Sequence, residues 1–334
     1  MIKKIHIQNF KSIVDLELEL GNLNVFIGEN GAGKTNILEG ITFSGGAFKN
    51  RFSEEYLIVR GIRGGELDML KSLFKKDNNS ITFRYSDKKN KTIELVFLCG
   101  QFYGWTIIDN LYFEQDLDTF LTYAPENYFL RRFEEEGQIR PLGIRGEGLF
   151  KHLVDIYKHK PELLTKISEN LRLISWFKDF EIPKDLMFTE RRINIKDKYL
   201  AELDFFDQKS ANEGFLYLLF YFTLFISPFT PPFFAIDNID NALNPKLCAE
   251  LIRRLAVLAK ENNKQVLLTT HNPAVLDGLD LEDENQKLFT VYRNQEGHTK
   301  VKNIKPLKKV EGVEPVRLSE AFIRGYLGGL PKNF

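Results

Sequence analysis

Ile5 and Ile7, and then Val14, Leu16, Leu18 and Leu20, alternate with polar residues, and this period of two predicts half-buried strands joined at the turn Asn9–Ser12. Leu23–Ile27 is different, a short apolar run that ends at Gly28, as expected of a fully buried strand. Phe233–Ile236 and Val266–Leu268 repeat that form far downstream. Between them Leu247, Leu251, Ile252, Leu255 and Leu258 recur on one helical face. Short buried strands alternating with an amphipathic helix predict a parallel sheet. Asn244 and Pro245 suit the cap and first turn of that helix, where backbone N–H groups lack intrahelical acceptors. Leu288–Arg293 and Thr299–Ile304 flank a polar turn and predict a hairpin at the sheet edge.

Between Gly45 and about Pro183 the rhythm changes. Ile81–Tyr85 and Thr92–Cys99 read as strands around the polar turn Ser86–Lys91, whereas Gly148–Lys158 and Pro161–Phe177 read as amphipathic helices. The expected organisation is therefore one α/β domain built from residues 1–45 and 185–334, interrupted by a mixed α+β insertion at 46–184. Sustained heptads are absent, so no long coiled-coil arm is expected. Gly214–Ile236 carries no charge and is long enough on paper to cross a bilayer. Ser227-Pro228 and Thr230-Pro231-Pro232 divide it into a buried helix and a buried strand, so no membrane span is expected.

Composition narrows the chemistry. Lys plus Arg equals Asp plus Glu at 46 each, so the chain has no global attraction to polyanions and any nucleic-acid contact must come from local patches. Arg191, Arg192, Lys196 and Lys198 form one basic cluster, and Lys302, Lys305, Lys308 and Lys309 another; both read first as solvated surface. The two cysteines, Cys99 and Cys248, lack metal-binding spacing and read as core thiols of a reducing cytoplasm. MIKKIHIQNF has no apolar signal stretch, which points the same way.

Gly28-Glu29-Asn30-Gly31-Ala32-Gly33-Lys34-Thr35 fits the phosphate-loop pattern at every fixed position and follows a buried strand. Such a loop turns its backbone N–H groups around phosphates, which its glycines permit, and the helix beginning at Lys34 adds its positive end. Asn30, Gly31, Gly33, Lys34, Thr35 and Asn36 are the expected nucleotide ligands, with Lys34 facing the β and γ phosphates and the Thr35 hydroxyl on Mg²⁺. Phe233–Ile236 ends in Asp237, the form of a strand-end acid that reaches Mg²⁺ from the sheet's carboxyl edge; a turn-capping Asp is the plainer alternative. Val266–Thr270 is followed by His271; this strand follows the Asp237 strand by one helix, which would place the histidine beside the γ-phosphate, and a hydrogen-bonded core or loop residue is the plainer alternative.

Together, Ile5–Ser12, the loop GENGAGKTN, Asp237 and Thr270-His271-Asn272-Pro273 resemble the ATP-binding-cassette (ABC) heads of the SMC, RecF and OLD group, and among these the compact bacterial AAA-type ATPases of anti-phage defence operons. The motifs that carry the resemblance lie in Met1–Gly45 and Asp185–Asp280. It implies an α/β ABC-ATPase head with an N-terminal antiparallel strand pair and a mostly parallel core sheet flanked by helices. It also implies two ATP molecules, with Mg²⁺, sandwiched between two protomers. By that analogy His271 is the switch histidine, Ala242-Leu243-Asn244-Pro245 the loop that meets the opposing subunit, and Ser210–Gly214 the signature.

Two positions depart from the family. Asn238 follows Asp237 where a catalytic Glu is usual, and an amide can orient water but does not take its proton. Hydrolysis is therefore expected to be slow, absent, or dependent on Asp240 or His271. In the signature, alignment on Gly214 puts Asn212 where the family has Ser, whereas alignment on Ser210 costs the spacing to Gly214; Asn can still donate to a phosphate, and an ordinary helix cap remains the alternative. Gln101 is a candidate for the glutamine-loop role.

The expectation is thus a cytoplasmic ATPase head that dimerises around ATP and Mg²⁺ and controls a partner effector, a nuclease or toxin supplied in trans, in anti-phage defence. A RecF-like DNA-repair or chromosome-maintenance ATPase, in contact with DNA or RNA, is the second reading. A transport ATPase is the third, and its signature does not match.

Overall fold

The computed structural model describes residues 1–64, 66–74, 79–100, 103–108, 117–133, 137–183, 191–200, 204–306 and 316–330. Its elements begin with β1 (Ile2–Phe10), β2 (Ile13–Glu19), β3 (Leu23–Ile27), α1 (Lys34–Ser44), α2 (Glu54–Val59), β4 (Ser80–Asp87), β5 (Thr92–Leu98), β6 (Gly104–Ile108) and β7 (Thr122–Tyr123). Next come α3 (Asn127–Arg132), α4 (Leu149–His159), α5 (Glu162–Leu171), β8 (Phe177–Glu181), β9 (Asn194–Asp197) and α6 (Glu213–Ile226). β10 (Phe233–Ile236), α7 (Pro245–Glu261), β11 (Gln265–Thr270), β12 (Gln286–Arg293), β13 (Thr299–Ile304) and α8 (Leu318–Ile323) complete the series. The chain divides into two compact units, one of Met1–Thr122, Pro232–Ile239 and Gln265–Phe334, the other of Tyr123–Pro231 and Asp240–Lys264.

The first unit is built on two sheets. One is antiparallel, in the order β2-β1-β4-β5-β6, so the N-terminal strand pair is extended by the β4–β5 hairpin. β4 lies within the segment 46–184 and pairs with β1 through Ile5↔Tyr85 and Ile7↔Phe83. The other sheet runs β13-β12-β3-β11-β10, with β12, β3, β11 and β10 parallel and the β12–β13 hairpin at one edge. At the other edge the Ala235 N–H reaches the Leu121 carbonyl at 2.9 Å. Every residue of β3 and β10 is buried, and Asn24, the polar residue within β3, donates its amide to the Gly21 and Val266 carbonyls.

Register does the positioning. Ile27 pairs with Thr270 and Ile236 with Leu268, so the carboxyl ends of β3, β10 and β11 lie side by side. The chain leaves those ends as the phosphate loop, Asp237 and His271. α1 is fixed by aromatic packing: Phe43 meets Phe97 at 5.0 Å, Trp105 at 4.9 Å and Phe10 at 5.9 Å between ring centroids. Removing a ring so enclosed costs about 3–5 kcal/mol. That packing ties the helix opening at Lys34 to the antiparallel sheet.

In the second unit α6 is buried on every face beyond its first turn, matching its charge-free sequence, and ends at Ser227 as its Pro signals predict. Among the described residues no helix is long and apolar enough to cross a membrane. α5 starts after Pro161 as expected but stops at Leu171, short of Phe177. Phe177 and Phe180 instead bury on strand β8, which pairs with β9 through Phe180↔Ile195, and Phe177 meets Phe215 of α6 at 5.5 Å. Strand pairing and ring burial there override the helical spacing.

Candidate functional site

Gly33, the residue before α1, adopts φ 107°, and a Cβ built there would stand 2.1 Å from the Thr299 hydroxyl. Glycine is thus required twice, for backbone angle and for space. Thr299 is itself a support: its Oγ1 donates to the Ala32 carbonyl at 2.9 Å and lies 2.7 Å from the Ser12 hydroxyl, which accepts from the Asn36 amide at 2.7 Å. The relay Asn36, Ser12, Thr299, Ala32 fastens the loop to the β1–β2 turn and to β13. Arg293 Nε donates to the Gly31 carbonyl at 2.9 Å from the neighbouring strand β12.

Lys34 is buried, and its ammonium donates to the Gly28 and Glu29 carbonyls at 2.8 and 3.0 Å. His271 Nδ1 stands 3.4 Å from the same Nζ. On the loop's other flank, Thr35 Oγ1 donates to Asp237 Oδ2 at 3.2 Å. The second oxygen of Asp237 accepts a short bond from the Thr269 hydroxyl. Asn238 follows in the left-handed region, φ 55°, and its N–H donates to that same Thr269 oxygen at 2.9 Å. Asn tolerates this conformation better than most residues. Lys34, Thr35, Asp237, Asn238 and His271 therefore share one edge of the sheet.

A carboxylate and a hydroxyl side by side are hard oxygen donors, the kind Mg²⁺ prefers alongside phosphate oxygens and water. The Thr35 hydroxyl and the Asp237 carboxylate, 3.2 Å apart, are a donor set that suits such an ion. Among the described residues no group of three or more His, Cys, Asp or Glu side chains could hold a metal. Behind the loop, Glu39 of α1 is buried with an ion pair to Lys11 at 2.5 Å and another to Arg63 at 2.8 Å. This carboxylate joins the β1–β2 turn to Arg63, and leaving it unpaired would cost about 3–5 kcal/mol.

The second unit holds the remaining candidates. Asn212 caps α6, its Oδ1 accepting from the Phe215 N–H at 2.8 Å, so the plain capping role is realised and the side-chain amide N–H₂ is what it can offer a ligand. Asn212 and Gly214 line a cavity of about 600 Å³ together with Trp176, Ala242, Asn244 and Lys246. The signature and opposing-subunit segments named in the sequence thus meet at one cavity. Asn244 caps α7 through the Leu247 N–H at 3.0 Å. Asp240 belongs to this unit, and its carbonyl accepts from the Leu243 N–H at 3.2 Å.

The basic clusters are partly absorbed by internal bonds. Arg191 donates to the Phe133 carbonyl, Lys196 to Glu181 and Lys198 to the Ser175 carbonyl. Gln101, Lys308 and Lys309 lie outside the described residues. Both cysteines are buried, and burial pushes each thiol up to about 11. Thr269, Thr299, Ser12 and Arg293 were not singled out by sequence as site residues. A threonine placed between the buried run Val266–Leu268 and Thr270-His271 is the one local signal that could have marked Thr269.

Comparison with known proteins bears on the family and the fold. The family profile described as "AAA domain, putative AbiEii toxin, Type IV TA system" matches residues 23–277. The chain is 42% identical over 60 residues to the DNA replication and repair protein RecF of Lactococcus lactis subsp. cremoris, a stretch that covers 18% of this chain and 17% of that protein. The match thus spans less than a fifth of that relative's length. Among solved structures, the SMC head domain from Thermotoga maritima superposes with a TM-score of 0.54 at 17% identity, covering 91% of this chain and 99% of the other. An SMC head bound to the C-terminal winged-helix domain of ScpA gives 0.62 at 17% identity, covering 91% and 98%.

Proposed function

We propose that this chain, which belongs to the AbiEii-type AAA-domain family and folds as an ABC-type ATPase head of the SMC and RecF group, binds ATP with Mg²⁺ at the edge where Lys34, Thr35 and Asp237 converge. The observation that carries the reading is the 3.2 Å bond between Thr35 and Asp237, which joins a phosphate-loop residue to a strand-end acid. In this reading the loop N–H groups and the α1 N-terminus hold the phosphates, Lys34 exchanges its carbonyl partners for phosphate oxygens, and His271 stands where a γ-phosphate would reach. Bound Mg²⁺ would supply charge neutralisation at the phosphates, with Thr35 and Asp237 as its protein ligands.

Asn238 orients water and leaves its proton in place, so turnover is slow or depends on another base, Asp240 or His271 among them. Nucleotide occupancy then acts as a signal. Two protomers close around ATP, with Asn212 and Gly214 of each facing the other's phosphates, and the assembly controls a partner effector, a nuclease or toxin acting in trans in the bacterial cytoplasm as part of anti-phage defence. The family's AbiEii description supports the toxin-system setting, and the ScpA-bound head offers a precedent for a protein partner.

Mass measurement with and without ATP and Mg²⁺, followed by co-purification with neighbouring gene products, tests this. A species that stays monomeric with nucleotide and retains no partner would refute it. The likeness to RecF favours a second reading, an ATPase that acts on DNA. Salt-dependent DNA binding that tightens with ATP would select it.

A further inference from the structure

The segment Leu318–Leu330 is not among the motifs above, yet it touches the nucleotide edge at three separate places. Its helix, α8, is tied to the short 3-10 helix Pro273–Gly278 that follows His271. The Ser319 N–H and hydroxyl donate to the two Asp277 oxygens, at 3.0 and 2.7 Å. Beyond α8 the chain turns back through Gly325, Gly328 and Gly329, all with φ near +80°. The Leu327 carbonyl then accepts from the Thr290 hydroxyl on β12 at 3.2 Å. Finally the Gly329 carbonyl accepts from the Glu29 N–H, in the first turn of the phosphate loop, at 3.1 Å.

The fit at that last contact is close. A Cβ built on Gly329 would stand 3.3 Å from Thr290 Cβ and 3.7 Å from Gly28 Cα, and φ 82° disfavours any side chain there. Ala321, Phe322 and Leu327 are buried, so the segment is held by packing as well as by hydrogen bonds. Glu29 lies five residues before Lys34 and Asp277 six residues after His271, and the Lys34 and His271 side chains stand 3.4 Å apart. A single segment is therefore bonded both to the phosphate loop and to the 3-10 helix that follows His271.

We propose that Leu318–Leu330 is a positioning brace of the nucleotide site, holding the first turn of the phosphate loop and the helix after His271 in fixed register, so that nucleotide affinity depends on residues that never touch the nucleotide. The role rests on the ATP-binding reading for its consequence, while the brace itself is a property of the protein without ligand. Linkage makes the coupling reciprocal: whatever strains the segment loosens ATP, and ATP tightens the segment.

The test uses the full chain with Ser319→Ala, Ser319→Thr and Gly329→Ala. Titration with a fluorescent ATP analogue should show affinity weakened about tenfold in Ser319→Ala and Gly329→Ala, and restored in Ser319→Thr, which keeps the hydroxyl. Hydrogen exchange at the Glu29 amide without nucleotide should accelerate in Gly329→Ala while amides of the distant β4–β5 hairpin keep their rates. Unchanged Glu29 exchange, or equal affinity in all four proteins, overturns the brace. Should the unmodified chain bind no nucleotide, the ATP reading falls, and the exchange measurement still decides the brace.

Discussion

Thr35 Oγ1 and Asp237 Oδ2 lie 3.2 Å apart although 202 positions separate them in the chain. The contact exists because β10 pairs with β11 and β11 with β3, which brings the ends of β3 and β10 within one strand of each other. A hydroxyl in the first turn of a helix and a carboxylate just past a strand are then held side by side. Strand order therefore decides which residues share this edge.

Lys34→Ala should weaken nucleotide binding by roughly two orders of magnitude. The ammonium is buried against two carbonyls, a position from which it can turn to phosphate with little desolvation still to be overcome. Loss of charge-assisted bonds of this kind costs about 3 kcal/mol, roughly a hundredfold in affinity. Titration with a labelled ATP analogue measures it, and unchanged affinity would remove the phosphate-loop assignment.

Asn238→Glu should raise the rate of ATP turnover by placing a proton acceptor after Asp237. The backbone there has φ 55°, so a longer side chain that lacks Asn's tolerance for this region should also lower stability by about 1 kcal/mol. Phosphate release and a melting curve on the same preparation separate the two effects. A rate at or below that of the unmodified protein would mean that another group limits the reaction.

The phosphate loop could be read in the sequence because its chemistry demands contiguous residues of special backbone freedom, and Asp237 and His271 because each follows a buried strand. The β12–β13 hairpin and the Asn244 cap were legible for the same local reasons. Thr269 was not, since a threonine in a buried strand reads as an ordinary strand former until its partners Asp237 and Asn238 are known. Ser12 and Thr299 meet across 287 positions, a separation no local pattern encodes. The three glycines at 325, 328 and 329 look like loop until the Glu29 contact explains the last of them. Phe177 fits a helical period and sits in a strand, because its burial against Phe215 depends on another element altogether.

Thr269→Val should weaken Mg²⁺-dependent nucleotide binding more than binding measured with EDTA. The hydroxyl donates to Asp237 and accepts from the Asn238 N–H, so its loss frees the carboxylate and strips a partly buried N–H of its acceptor. Each unmet group costs about 1–3 kcal/mol. Thr269→Ser, which keeps the hydroxyl, should restore both stability and metal dependence. Equal losses with and without Mg²⁺ would reduce Thr269 to a structural residue.

Stability should fall in mild acid because of His152. Burial pushes the imidazole of this α4 residue down from 6.5 to about 4, with Asp155 opposing and Lys264 reinforcing the shift, and Nε2 lies 2.9 Å from the Ser227 hydroxyl. The unfolded chain takes up a proton as pH drops through about 6.5 while the folded chain resists until about 4, so unfolding gains on every step between. Stability from this group is fully present above pH 6.5 and lost progressively towards pH 4, by up to about 3 kcal/mol. Urea midpoints at pH 7, 5.5 and 4.5 should drop in the unmodified protein and drop less in His152→Gln, which carries no titrating ring. Parallel slopes for the two proteins would assign the acid sensitivity elsewhere.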